Sequence, residues 1–207
     1  MAGTFIVFEG PEGGGKSIQT ARLATWLRAR GKVVLETREP GGTPIGDEIR
    51  TVLLSARDGG MLPETEVLLL AASRAQLVRS TIKPALDRGE DVICDRYVDS
   101  SFAYQGGGRQ LPLASIMPIQ VYATGGLVPD IRILLDLPVE LGLKRRFSNP
   151  SSVNRIDNDG LVFHERVRAT YLDLVRARPD EWIVIDASTS IDEVTANIAA
   201  AIAHRIE

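Results

Sequence analysis

The sequence is short of several things, and each shortage closes off a class of chemistry. It has one cysteine, Cys94, which excludes an intramolecular disulfide and any multi-cysteine metal site. That cysteine lies in the apolar run Val92-Ile-Cys94, where a buried, inert thiol is expected. Two histidines are present, His164 and His204; both fall in helical patterns, and neither is assigned a catalytic role. No apolar run approaches the length of a membrane span. The N-terminus carries no charged segment leading into a signal-type apolar core. The expectations are no membrane partner and a cytoplasmic location. The net charge of −3 supplies no broad basic field, so no nucleic-acid partner is expected. Lysine is scarce as well: four (16, 32, 83 and 144) stand against 20 arginines. The planar fork of arginine suits phosphate oxygens. A genome-wide codon preference explains the excess equally well, so individual arginines have to be argued from position.

What is present is led by the first seventeen residues. Phe5-Ile-Val-Phe runs into Glu9-Gly10-Pro11-Glu12-Gly13-Gly14-Gly15-Lys16-Ser17, and a long helical pattern follows. From Gly10 the turn fits G-x-x-x-x-G-K-[ST] at each fixed position. Glycines let successive backbone N–H groups turn inward on a phosphate, and the helix that starts here adds its positive end. In such a loop Lys16 reaches the outer phosphates and the Ser17 hydroxyl holds Mg²⁺. The alternative is a strand–turn–helix corner that needs glycine for steric reasons alone. A strand before the loop and a helix after it favour nucleotide binding.

At 207 residues the chain is expected to form a single domain, 1–207. Short apolar runs alternate with longer amphipathic stretches, the pattern of an α/β fold with a parallel sheet. Strands are predicted at Thr4–Glu9, Lys32–Thr37, Asp91–Asp95, Ile131–Leu137 and Trp182–Asp186. Their nearly continuous apolar character implies helices on both faces. Helices are predicted at Lys16–Arg30, Pro63–Arg88 and Leu161–Arg178, with a last one opened by the capping box Ser190-Ile-Asp-Glu193. Pro84 should kink or restart the second of these. Three stretches break the rhythm: Arg38–Gly46, Ser100–Pro112 and Phe147–Gly160. The first two follow strands, where open α/β sheets place ligands. The third suits a mobile lid over about 147–160.

Guanine-specific signals are missing. No N-K-x-D occurs, and Asp157-Asn-Asp-Gly160 lies outside any strand and reads as turn chemistry. Asp95, closing an apolar strand, is placed to orient Mg²⁺ or its waters, or else to cap the next turn. Arg96 beside it faces the same crevice and could bridge donor and acceptor phosphates. Arg74 lies on a mostly apolar helix face, one turn after Leu70. It is either a snorkelling surface residue or a buried anion ligand.

After the P-loop come, in order, REPGGTPIGDEIR (38–50), AASRAQLV (71–78), DRYVDSSFAYQGGGR (95–109) and FHERVRATYLDL (163–174). With these motifs the whole chain resembles the bacterial thymidylate kinases, P-loop enzymes of the nucleoside monophosphate kinase type that convert dTMP to dTDP with ATP. The resemblance implies that Arg74 and Arg96 hold the dTMP phosphate with help from Arg50. It makes Ser101 and Gln105 the thymine contacts, and Tyr104 the residue crowding the ribose 2′ position. Glu12 would face the acceptor sugar, and Glu39 would be an acid near acceptor and metal. On the donor side, Gly10, Pro11, Glu12, Gly13, Gly14, Gly15, Lys16 and Ser17 would cradle ATP. Arg145 would pack on adenine beside the Asp186-Ala187-Ser-Thr189 turn. Ser17 and Asp95 would serve Mg²⁺. Lys16, Arg96, Arg155 and Glu12 would carry the transfer, with Arg155 covering the phosphoryl group from the lid. A homodimer is also implied, with Pro112–Gly125 and the long central helix offering apolar faces.

Two departures stand out. Leu70 occupies a position where relatives usually carry a phenylalanine stacked on thymine. The stretch Phe147–Asn154 holds no arginine, which leaves Arg155, with Arg145 and Arg146 just before the lid. The phosphate acceptor is already anionic, so no strong base is needed, in keeping with the poverty in histidine. A shifted acceptor such as dUMP is the alternative within kinases. A switch that binds ATP without transferring it is the alternative outside them, and paired acceptor-side arginines argue against it.

Overall fold

β1 (Phe5–Glu9) is buried along its whole length because it is the middle strand of a five-stranded sheet ordered β2-β3-β1-β4-β5. All four pairings are parallel. The other strands are β2 (Val34–Arg38), β3 (Asp91–Asp95), β4 (Ile131–Asp136) and β5 (Trp182–Asp186), each within two residues of the run that predicts it. The computed structural model describes residues 2–55, 60–148 and 153–206.

Side chains alternate across the sheet, which explains the continuous apolar runs. Ile6, Phe8, Ile133 and Ile185 face α1 (Lys16–Arg28) and α9 (Ile191–Ile206), meeting Leu23, Leu27, Val194 and Ile198. Phe5, Val7, Val92 and Cys94 face the opposite layer, which supplies Leu77, Val78 and Ile82. Each such buried side chain contributes roughly 1.5–3 kcal/mol. Leu134 and Trp182 pack on Phe163, Val167 and Tyr171 of α8 (Leu161–Ala177). Burial pushes the Cys94 thiol well up, as an inert core cysteine requires.

The predicted 63–88 helix is three pieces in line: α3 (Pro63–Leu77), a π-register turn Val78–Ile82, and α4 (Lys83–Asp87). Pro84 has no N–H to donate. The chain answers by shifting register before it, so that the Lys83 N–H reaches the Val78 carbonyl. The capping box at Ser190 forms as read: Glu193 N donates to Ser190 Oγ at 3.3 Å, and Ser190 N to Glu193 Oε2 at 3.0 Å.

Four helical segments have no counterpart in the sequence reading: α2 (Pro44–Leu54), α5 (Val98–Ser101) running into a π-register turn Phe102–Gly108, α6 (Leu113–Thr124) and α7 (Val139–Phe147). α2 starts inside the Pro- and Gly-rich stretch because Thr43 caps it, Oγ1 accepting from Gly46 N at 3.0 Å. The glycine run at 106–108 looks like a helix breaker, but it serves close approach. A Cβ on Gly108 would overlap the edge of the Phe163 ring of α8, 2.4 Å from Cε2. Gly108→Ala is therefore expected to push α8 off and destabilise the protein by about 1–3 kcal/mol. The midpoint of a urea titration checks this, and an unchanged midpoint would count against the packing described.

Candidate active site

β1 delivers the chain into Gly10–Ser17 at the carboxyl end of the sheet, where open parallel sheets bind ligands. Gly10, Gly13 and Gly15 have φ of +137°, +72° and +81°, backbone that other residues avoid. A Cβ on Gly13 would also overlap the Gly142 carbonyl of α7. Lys16, in the first turn of α1, folds over the loop, its Nζ donating to Pro11 O at 2.7 Å and Gly10 O at 3.0 Å. Burial, then the neighbouring Arg96, lowers this ammonium to about 8 against the pull of Glu12 and Asp95. Ser17 Oγ donates to Asp95 Oδ2 at 2.6 Å, tying the loop to the end of β3. Both are hard oxygen donors of the kind Mg²⁺ takes, usually alongside waters and phosphate oxygens rather than in an all-protein cage. Among the described residues no cluster of three or more His, Cys, Asp or Glu could hold a metal.

Arg96 follows β3 with φ of +73°, a conformation that costs a non-glycine residue on the order of 1 kcal/mol or more. Glu9, which closes β1, helps hold the turn. Its buried carboxyl accepts from Tyr97 N at 2.9 Å, Ser100 N at 3.1 Å and Tyr171 OH at 2.7 Å. Burial, then Asp99, raises Glu9 to about 7. The turn throws the Arg96 guanidinium across the P-loop. Nη2 donates to Glu12 Oε1 at 2.7 Å and Tyr104 OH at 2.9 Å, and Nη1 to Gly10 O at 3.1 Å. Tyr104 OH donates to the same Glu12 oxygen at 2.8 Å. Burial alone would raise Glu12, but Arg96 and then Lys16 outweigh it and hold the carboxyl at about 2. Glu12 thus joins the phosphate loop to the helices opposite.

Arg50 completes a cationic group here. Its Nη1 donates to Pro40 O at 2.9 Å. Burial lowers its pKa, and the charges of Arg38 and Arg96 lower it further. Like charges gathered on one wall of a cleft attract an anion. Arg74, expected on the phosphate, lines the same cleft but is engaged by partners of its own. It is almost fully buried (1%), and each of its nitrogens already donates. Nε goes to Glu39 Oε2 at 2.7 Å, Nη2 to Tyr97 O at 2.8 Å, and Nη1 to Ser101 Oγ at 3.0 Å and to Gln120 Oε1. Its place is to fix Ser101 and Glu39.

One cleft of about 930 Å³ connects these groups. Gly13, Gly14, Gly15, Lys16 and Ser17 line it with Glu12, Glu39, Arg50, Leu70, Arg74, Asp95, Arg96, Ser101, Tyr104, Gln105 and Arg145. Gly10 and Pro11 lie behind the loop and present carbonyls to Lys16. Arg145 Nη1 donates to Ala187 O at 2.6 Å and Nη2 to Ser188 O at 3.0 Å, so Ala187 acts on the cleft through Arg145. Ile18, Thr189 and Ile191 add walls at that end.

Arg155, expected over the phosphoryl group, is held elsewhere. It does not line the cleft; it docks on the end of α2 and on α3, with Nε donating to Leu53 O at 3.1 Å and Nη2 to Glu66 Oε2 at 2.5 Å. Arg146 does line the cleft, and its Nε pairs with Asp157 at 3.0 Å. Residues 149–152 of the expected lid lie outside the described residues. The sequence names Arg146 only as lying before the lid, and it assigns no role to Arg38, Glu9 or Glu66. Glu9 carried a signal, as a lone charge ending an apolar strand, and Glu66 carried none.

Comparison with known proteins finds relatives over nearly the whole chain. The family model described as thymidylate kinase matches residues 8–198. A thymidylate kinase from Deinococcus radiodurans is 50% identical over 203 residues, covering 98% of both chains. One from Thermomicrobium roseum is 51% identical over 184 residues, 89% of this chain and 87% of the relative. One from Pseudomonas syringae pv. tomato is 46% identical over 198 residues, 96% of this chain and 94% of the relative.

Proposed function

The chain belongs to the thymidylate kinase family, and from that premise we propose how its cleft moves the γ-phosphoryl group of ATP onto dTMP, giving dTDP and ADP. The observation that carries this is the Glu12–Arg96–Tyr104 junction, which sets an acceptor-side cation against the P-loop. ATP binds with its phosphates on Gly13–Ser17 and its base toward Arg145, Thr189 and Ile191. The dTMP phosphate lies on Arg96 and Arg50, and its base lies toward Leu70, Ser101 and Gln105. Tyr104, between the two, stands beside the deoxyribose. Both substrates are then in line, and the acceptor oxygen needs no base. Lys16 and Arg96 offset the charge that spreads over the equatorial oxygens. Ser17 and Asp95 would hold Mg²⁺, which would supply further charge neutralisation on the donor phosphates. Arg146 reaches the cleft from α7 and is the arginine best placed to approach the phosphoryl group, with Arg155 serving to seat the segment after it.

The remaining parts of the proposal are a single kinase domain over 1–207 with 147–160 as lid, and a cytoplasmic homodimer. No helix among the described residues is long and apolar enough to cross a membrane. Exposed Leu68 on α3 and exposed Met117, Val121 and Tyr122 on α6 support pairing through those helices. Sedimentation at micromolar concentration tests it.

Coupled assay of ADP formation with dTMP, dUMP and dCMP tests the function. The expected result is strong preference for dTMP. Preference for dUMP would shift the acceptor, and no ADP with any monophosphate would revive a binding switch. Leu70 lines the cleft and packs on the base without an aromatic stacking contribution of about 1 kcal/mol. Leu70→Phe is therefore expected to tighten dTMP about fivefold, read as a dissociation constant by calorimetry. Unchanged affinity would remove Leu70 from the base contact.

A further inference from the structure

Glu66 sits in the first turn of α3 and is buried to 1% exposure. Its Oε1 accepts from Gln105 Nε2 at 2.7 Å and Arg109 Nε at 3.3 Å. Its Oε2 accepts from Arg155 Nη2 at 2.5 Å and Arg109 Nη2 at 3.2 Å. Two arginines on one buried carboxylate keep it ionised, and an ionised carboxylate can only accept hydrogen bonds. Gln105 must therefore turn its NH₂ toward Glu66, which settles the amide orientation by chemistry and aims Oε1 the other way. That Oε1 is buried and has no partner among the described residues. Gln105 lines the cleft beside Leu70, Ser101 and Tyr104. An unpartnered buried acceptor on a residue that lines the cleft calls for a donor on the ligand.

We propose that Glu66 is a positioning residue for base selection, fixing the Gln105 amide so that Oε1 receives the N3–H of a pyrimidine-2,4-dione. The proposal rests on dTMP being the acceptor. Thymine and uracil carry N3–H, whereas the cytosine N3 is unprotonated and would meet Oε1 lone pair to lone pair. The amide cannot flip to suit cytosine, because the flip would set its oxygen against the Glu66 carboxylate. Arg109 and Arg155 make the orientation firmer by holding that carboxylate in place. Arg109 in turn grips Asp159, Nη2 to Oδ2 at 2.6 Å. Base selection and the seating of the 153–160 segment therefore share one anchor.

The test is Glu66→Gln, nearly the same shape but neutral and able to donate as well as accept. kcat/KM is measured for dTMP, dUMP and dCMP on one preparation, so that any inactive fraction cancels in the ratios. The dTMP-to-dCMP ratio is expected to fall about tenfold or more. The dTMP-to-dUMP ratio should stay within about twofold, since both bases carry N3–H. Glu66→Asp keeps an acceptor-only group, so its dTMP-to-dCMP ratio should remain within about threefold of the parent value even where turnover falls. An unchanged dTMP-to-dCMP ratio in Glu66→Gln, an equal fall in both ratios, or a Glu66→Asp protein as unselective as Glu66→Gln would each overturn the proposal. A parent protein that phosphorylates none of the three would instead overturn dTMP as the acceptor, and is told apart because it needs no variant.

Discussion

Arg96→Ala is expected to lower kcat/KM for dTMP by about 10³-fold while the protein still folds. The size follows from what one guanidinium does here. It closes the acceptor side of the cleft, meets Glu12 at 2.7 Å and Tyr104 at 2.9 Å, and spans to the Gly10 carbonyl at 3.1 Å. It thereby touches the P-loop carboxylate and the acceptor wall at once. Arg96→Lys should recover little, because an ammonium is a point donor and cannot serve this fork of partners. Removing Arg96 also releases Glu12 from the charge that chiefly offsets its burial, so its carboxyl should titrate well above its present value of about 2. The stability loss should be about 3 kcal/mol, since both side chains are largely buried and Glu12 is left without its main counter-charge. Turnover and thermal unfolding of the same preparation separate the two effects. Near-normal turnover in a folded Arg96→Ala protein would remove Arg96 from the transfer site.

Lys16→Ala carries the second large effect, a loss of about 10³-fold in turnover with all acceptors. Lys16 is the loop's own cation, and its Nζ rests on the Gly10 and Pro11 carbonyls at 3.0 and 2.7 Å, a short swing from any phosphate in the turn. Its folded-state pKa is lowered to about 8, first by burial and then by Arg96. Phosphate binding favours the protonated ammonium, so binding above that pH takes up a proton. ATP affinity should therefore hold steady well below pH 8 and weaken as pH rises through it. Lys16→Ala should lose that pH dependence along with the affinity. A parent protein whose ATP dissociation constant is flat from pH 7 to about 9 would contradict the charge assigned to Lys16.

Much of the fold is legible in the chain because buried parallel strands leave plain marks. Each run such as Ile131–Leu137 or Trp182–Asp186 is short, apolar on both faces and closed by an acid or a turn. The P-loop is legible for a related reason, since its glycines and Lys16 are needed at fixed spacing. Other elements escape. α2 begins at Pro44 within a stretch of glycines, and only the Thr43 cap reveals it. The 102–108 turn takes π register over three glycines, a conformation that neither propensity nor periodicity signals. It nonetheless places Tyr104 and Gln105 in the cleft.

At the site, the motif residues are easier to find than their roles. Arg74 stands in a motif beside an apolar face, yet whether it meets phosphate depends on Glu39, Ser101, Gln120 and the Tyr97 carbonyl, brought in from four other segments. Arg155 is the first arginine after a stretch without any, but Glu66, 89 positions away in the chain, takes hold of it. Long-range partners of this kind decide whether an arginine is free to act, and nothing in local sequence records them.

The central claim is that one cleft passes a phosphoryl group directly from the P-loop side to the arginine side. ATP labelled in its γ-phosphorus, incubated with the protein, Mg²⁺ and dTMP, tests it most directly. The predicted result is label in the β-phosphate of dTDP, one ADP for each dTDP, and little inorganic phosphate when dTMP is left out. Label appearing in inorganic phosphate at the same rate with and without dTMP would contradict it.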